Sequence, residues 1–187
     1  MQEEALSGAR RRRVRSWLFV LPVVLVVLYY GVTSGIRSYV SHQIESVEGR
    51  TVPAFSLQDQ DGRRWTEADL RGKVTMLNFF RSRCVGCLKE CEAIRTIAAE
   101  GESTGVQVLS IMLDAVEGYP AEVTARTLAT FAYRHPVLIA NADFVQAFHG
   151  VGWAHVTPIT YVVDAKGVVT TSLRGHQAVE TLRAASK

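Results

Sequence analysis

Three cysteines, Cys84, Cys87 and Cys91, fall within eight residues just after a short apolar run, and no other feature restricts the fold as tightly. The run Val74-Thr75-Met76-Leu77-Asn78-Phe79-Phe80 has the length of a strand and is entered through Gly72-Lys73. Residues 85–99 then place Leu88, Cys91, Ile94, Ile97 and Ala98 at helical spacing. Cys84 follows the strand after three residues, so it is expected at or just before a helix N-terminus. Unpaired N–H groups and the positive end of the helix dipole stabilise a thiolate there. Arg81 and Arg83 add positive charge beside it. Cys87 returns to the same helix face, at a separation suited to a disulfide closing a very short loop. Such a bridge opens and closes without disturbing a fold, as a redox centre requires. A C-x-x-C between strand and helix is far more specific than the same motif in isolation.

Rival readings of these thiols are weaker. A zinc site needs two further ligands, and Cys91 with one of His149, His155 or His176 is the available set. No second C-x-x-C or H-x-x-x-H accompanies them. Cys91 lies one turn deeper than Cys87 and reads first as a packed core thiol, second as a third redox or metal-binding thiol. The pattern asks for no cofactor and no resident metal.

The N-terminal part has a different character. No residue from Ser16 to Ile36 is charged, and Trp17 to Val32 is almost wholly apolar. Roughly 20 such residues span a hydrocarbon core of about 30 Å. Arg10–Arg13 and Arg15 flank one side, which by the positive-inside rule puts the N-terminus in the cytoplasm. A cleaved signal peptide fits less well, because the apolar region is long and Val32-Thr33-Ser34 is a poor cleavage site. The arginine run also accounts for the net charge of +3. Beyond residue 36 acidic and basic residues balance, which excludes the electrostatic footprint of a nucleic-acid binder. The expected organisation is a cytoplasmic basic segment at 1–15, an anchor at 16–36, a tether at 37–52 and one domain at 53–187.

Within that domain, Ala54–Leu57 and Arg63–Trp65 flank a turn-rich stretch and read as a hairpin. Val106–Leu113 is a buried strand, Pro120 opens a helix to about Arg134, and Val137–Ala140 is a short strand. Asp143–His149 reads as a short helix, Ile159–Val163 and Val168–Leu173 as a second hairpin, and His176 onward as a final helix. Strands alternating with helices and a closing hairpin predict an α/β fold with a mixed sheet.

With these elements in place, the chain from Phe55 onward resembles the TlpA/ResA-like branch of membrane-tethered thioredoxin-fold proteins, within the broader AhpC/TSA-related redoxins. The resemblance rests on Phe55-Ser56-Leu57, Gln60-Asp61-Gly62, Leu70-Arg71-Gly72-Lys73-Val74 and Leu77-Asn78-Phe79-Phe80. It continues in Cys84-Val85-Gly86-Cys87-Leu88-Lys89-Glu90, in Val156-Thr157-Pro158-Ile159-Thr160-Tyr161-Val162-Val163-Asp164 and in Gly167. It implies a cis Pro158 packed beside the cysteine pair, with Thr157 facing a bound substrate chain. Arg83 stands where the family usually has Trp, Gly86 where Pro is common, and Glu92 where a Pro is expected. These departures bear on redox potential and partner choice more than on the fold.

The function expected is a membrane-tethered thiol–disulfide oxidoreductase acting on protein disulfides outside the cytoplasm. Cys84 attacks, Cys87 resolves, Glu90 is a candidate for proton transfer or merely a solvated charge, and a membrane redox donor is the expected partner. The alternative is a copper chaperone resembling the Sco proteins, using Cys87, Cys91 and a histidine such as His155. A peroxiredoxin-type peroxidase ranks last, because Arg81-Ser82-Arg83 lacks the Pro and Thr of that family.

Overall fold

A computed structural model describes the backbone of residues 2–149 and 156–187, and side chains within 20–39, 41–42, 46–148 and 156–187. It divides into two compact units, Met1–His42 and Gln43–Lys187.

The described residues of the first unit lie within helix α1 (Gln2–Glu45). Its stretch Val20–Tyr39, 20 residues long, is long and apolar enough to cross a membrane. Pro22 stands inside the helix. Thr33 Oγ1 donates back to the carbonyls of Tyr29 and Tyr30 at 2.8 and 3.1 Å, so its hydroxyl is satisfied without water. The helix continues past Ile36 through residues expected to begin a tether.

The second unit starts earlier than expected, because Val47 and Val52 are buried. Gly49 N–H donates to Val169 O at 2.8 Å and Val52 N–H to Gly167 O at 2.9 Å, so residues 46–52 line the domain edge. Strands β1 (Ser56–Gln58) and β2 (Arg64–Thr66) follow as the expected hairpin, with Leu57 opposite Trp65. Asp59 closes it by accepting from Asp61 N–H, Arg63 N–H and the Trp65 indole. A 3-10 turn at Glu67–Leu70 then leads to β3 (Val74–Phe80), α2 (Val85–Thr104) and β4 (Val106–Met112). Next come α3 (Asp114–Glu117), α4 (Ala121–Phe131), β5 (Val137–Ile139) and α5 (Ala142–His149). Strands β6 (Ile159–Val163) and β7 (Val169–Arg174) and helix α6 (Val179–Ala185) complete the unit.

The sheet order is β5-β4-β3-β6-β7, with β3, β4 and β5 parallel, β6 antiparallel to β3, and β7 antiparallel to β6. This is the thioredoxin-like α/β arrangement with a mixed sheet. Alternation along β3 sends Met76, Asn78 and Phe80 to one face and Leu77 and Phe79 to the other. On the first face Met76 packs with Ile94 and Ile97 of α2, Val108, Val162 and Leu182 of α6. On the second, Phe79 stacks with Phe144 of α5 at 6.0 Å between ring centroids and meets Tyr161 edge-on. Helices thus cover both faces, and β3, at the centre, delivers the chain to the cysteines.

Element ends differ from expectation where backbone sign changes intervene. Helix α2 runs on to Thr104 and stops at Gly105, whose φ of 75° is left-handed. Helix α4 ends at Phe131 rather than about Arg134, because Ala132 takes φ 49°. Helix α3 was not expected at all, and α6 begins at Val179 rather than His176.

Candidate active site

Cys84 is the N-cap of α2, with extended backbone at φ −96° and ψ 104°. Its Sγ accepts from Cys87 N–H at 3.1 Å, and its carbonyl receives Leu88 N–H at 3.1 Å. The two cysteines are joined as a disulfide with Cα atoms 5.2 Å apart. Cys84 is partly exposed and Cys87 buried, the asymmetry needed for one sulfur to meet a partner while the other stays internal. Cys91 is free and buried in the same apolar cluster as Cys87, among Phe80, Met112, Phe131 and Val137.

The loop between β3 and α2 is held by a buried carboxylate. Asp114, fully buried, accepts from Ser82 N–H at 2.7 Å, Ser82 Oγ at 2.5 Å and Thr124 Oγ1 at 2.7 Å. Ser82 Oγ also pairs with Thr127 Oγ1 at 2.6 Å. Pinned there, the chain passes through Arg83 at φ 57°, a left-handed conformation uncommon for a side chain of this size. Arg81 turns the other way. Its Nε donates to Thr157 Oγ1 at 3.1 Å, and one terminal nitrogen donates to Glu117 and the Tyr119 hydroxyl, each at 3.1 Å.

The Thr157–Pro158 bond is cis, as the resemblance implied. A Cβ added to Gly86 would lie 2.9 Å from Pro158 Cδ, so the residue before the second cysteine and the proline ring are in direct contact. The structure thus brings together Cys84, Cys87, Thr157 and Pro158.

Glu90 is no solvated charge. It is 1% exposed, and its carboxylate accepts from Asn78 Nδ2 and from Gln177 N–H, each at 3.0 Å. Burial pushes its pKa up to about 7, and those two hydrogen bonds restrain the rise. Asn78 Nδ2 also donates to Thr160 Oγ1 at 3.0 Å, tying the carboxylate to β3 and β6. Asn78, Ser82 and Asp114 escaped the sequence reading. Asn78 left a signal, being the one side-chain amide in a mostly apolar strand, where a buried polar group requires a partner.

For the copper alternative, His155 and the His149 side chain lie outside the described residues. Among the described residues no group of three His, Cys, Asp or Glu side chains gathers as a metal site.

A partly exposed N-cap cysteine, bonded to a buried one beside a cis-proline loop, defines the class: a thioredoxin-like thiol–disulfide oxidoreductase. The chain belongs to the AhpC/TSA family, whose model matches residues 49–172. It is 25% identical over 174 residues to the thiol-disulfide oxidoreductase ResA of Geobacillus thermodenitrificans, covering 93% of this chain and 94% of that protein. It is 26% identical over 157 residues to the thioredoxin-like protein YneN of Bacillus subtilis, covering 83% and 88%. Among solved structures it resembles a thioredoxin-family thiol:disulfide interchange protein from Chlorobium tepidum, with TM-score 0.63, 23% identity and coverage of 75% and 98%. StoA from Bacillus subtilis matches with TM-score 0.61 at 17% identity, covering 73% of this chain and 98% of that one. Both structural likenesses speak for the fold.

Proposed function

We propose that this protein is a membrane-tethered dithiol–disulfide exchanger that acts on protein disulfides outside the cytoplasm. The observation that carries the proposal is the Cys84–Cys87 disulfide at the N-cap of α2. In the reduced state the Cys84 thiolate attacks one sulfur of a target disulfide. A new S–S bond forms to Cys84 as the target bond breaks, and the released target thiolate takes a proton from solvent. The Cys87 thiolate then attacks Cys84 Sγ, closing the Cys84–Cys87 bond and expelling the second target thiol. Two electrons have passed to the target. An external dithiol, supplied by a membrane redox donor, restores the reduced pair for the next cycle.

The remaining site residues take supporting roles. Glu90, buried one turn beyond Cys87 and titrating near 7, accepts the proton that leaves Cys87. Thr157 and Pro158 line the face where the target chain rests. Cys91 packs as an inert thiol. The Ser16–Ile36 segment anchors the chain as a single pass, with residues 1–15 in the cytoplasm and the folded domain outside it.

The test is turnover of a peptide disulfide by the full-length protein in neutral detergent. Cys84→Ser abolishes turnover, and Cys87→Ser accumulates a mixed disulfide on Cys84. Full activity in Cys84→Ser contradicts the mechanism.

A further inference from the structure

Beside the disulfide a groove of about 390 Å³ runs between the first turn of α2 and helix α4. Arg83, Cys84, Val85 and Leu88 form one wall, and Arg126 and Phe131 belong to the other. Leu88, counted with the apolar helix face in the sequence, points out of the core and is 52% exposed, and Val85 is 69% exposed. Outside the apolar stretch of α1, these are the exposed large apolar side chains among the described residues. This exposed apolar pair lines the groove beside the reactive sulfur.

The charge of the groove narrows what covers it. Its charged lining residues are Arg83 and Arg126, one on each wall. Neither guanidinium pairs with a carboxylate among the described residues, whereas Arg81, Arg95 and Arg183 all do. Arg83 reaches over the Tyr119 ring, its Cζ 5.8 Å from the centroid. A larger cleft of about 810 Å³ is lined by Glu92, Arg95, Glu102 and Arg134, which mix both signs, and includes no cysteine.

We infer that the groove binds a polypeptide segment whose reacting cysteine is flanked by an apolar residue and an acidic one. The apolar side chain covers Val85 and Leu88, and the carboxylate lies between Arg83 and Arg126. This deepens the proposed exchange reaction and rests on it. Arg83, standing where the family's usual residue is aromatic, becomes a specificity residue.

The test uses reduced full-length protein in neutral detergent and three peptide disulfides, identical except for Asp, Asn or Lys two positions from the cysteine. Each peptide disulfide takes two electrons from Cys84 and Cys87 and is released as two thiols. Rates are divided by those with dithiothreitol, which removes differences in intrinsic thiol reactivity. The expected order is Asp, Asn, Lys, with Asp over Lys by about three- to tenfold at low salt. The preference shrinks at high salt, where screening shortens the reach of the charges. Arg126→Glu and Arg83→Glu reduce or reverse it. Equal rates for the three peptides overturn the inference and leave the oxidoreductase standing, as does a preference unchanged in both variants. A dimer by light scattering that dissociates in Arg126→Glu, with rates indifferent to peptide charge, also overturns it by naming a second copy as the occupant. If none of the peptides is reduced, the exchange reaction itself fails, and the inference with it.

Discussion

Gly86 illustrates how one missing atom shapes this site. Between the cysteines, a side chain would begin 2.9 Å from the Pro158 ring, closer than unbonded carbons pack. The ring has no flexible end to yield, so either α2 or the loop must shift. Gly86→Ala is expected to lower stability by about 1–3 kcal/mol, the usual cost of overpacking. Chemical denaturation with matched redox state checks this, and a change under about 0.5 kcal/mol contradicts the contact. Asp114 makes the opposite case, a group whose removal leaves partners stranded. Asp114→Ala leaves the buried Ser82 N–H unpaired and takes an acceptor from the Ser82 and Thr124 hydroxyls, and should cost about 2–4 kcal/mol. Asp114→Asn should keep most of that stability. Its carbonyl still accepts from Ser82 N–H, and the hydroxyls rotate to accept from its amide. Equal losses in the two variants would show that the charge, not the pairing, holds the loop.

At the scale of elements, local patterns were legible and distant pairings were not. The strand–C-x-x-C–helix unit could be read because β3 is a short, mostly apolar run and α2 repeats with helical period. Both hairpins showed in their turn residues: Asp164 accepts from Lys166 and Val168 N–H just where Asp164-Ala165-Lys166-Gly167 predicted a turn. Glu90 was ambiguous because a charge one turn into a helix usually faces water. Its burial depends on Gln177, 87 residues away in sequence, and on Asn78. Asp114 holds Ser82 across a separation of 32 residues, and Arg126 joins the groove only because α4 packs beside α2. The ends of α2 and α4 depended on left-handed backbone at Gly105 and Ala132, and the alanine gives no signal in sequence.

For the whole domain, two buried titrations oppose each other. Burial raises Glu90 from 4.5 to about 7, so the folded state holds its proton longer than the unfolded chain. Stability from this group therefore falls, by about 3 kcal/mol, as pH rises through that window. Burial lowers His135 from 6.5 to about 4, so the unfolded chain takes up that proton first. Its contribution is complete above 6.5 and is lost, again by about 3 kcal/mol, as pH falls towards 4. Between 4.5 and 6.5 the slopes cancel, and the unfolding free energy of the native sequence should vary little. Glu90→Gln unmasks a rise with pH across that window, and His135→Gln unmasks a fall. Urea midpoints at several pH values test this, and parallel profiles for all three proteins contradict it.

The central claim is that Cys84 and Cys87 form a reversible redox pair, and a redox titration of the full-length protein tests it most directly. The protein in neutral detergent is equilibrated across thiol–disulfide buffers, alkylated, and its cysteines mapped by mass spectrometry. The account predicts a two-electron step joining Cys84 to Cys87 at between roughly −270 and −120 mV, with Cys91 protected until the protein unfolds. A Cys84 that stays free while Cys87 pairs with Cys91 would contradict it.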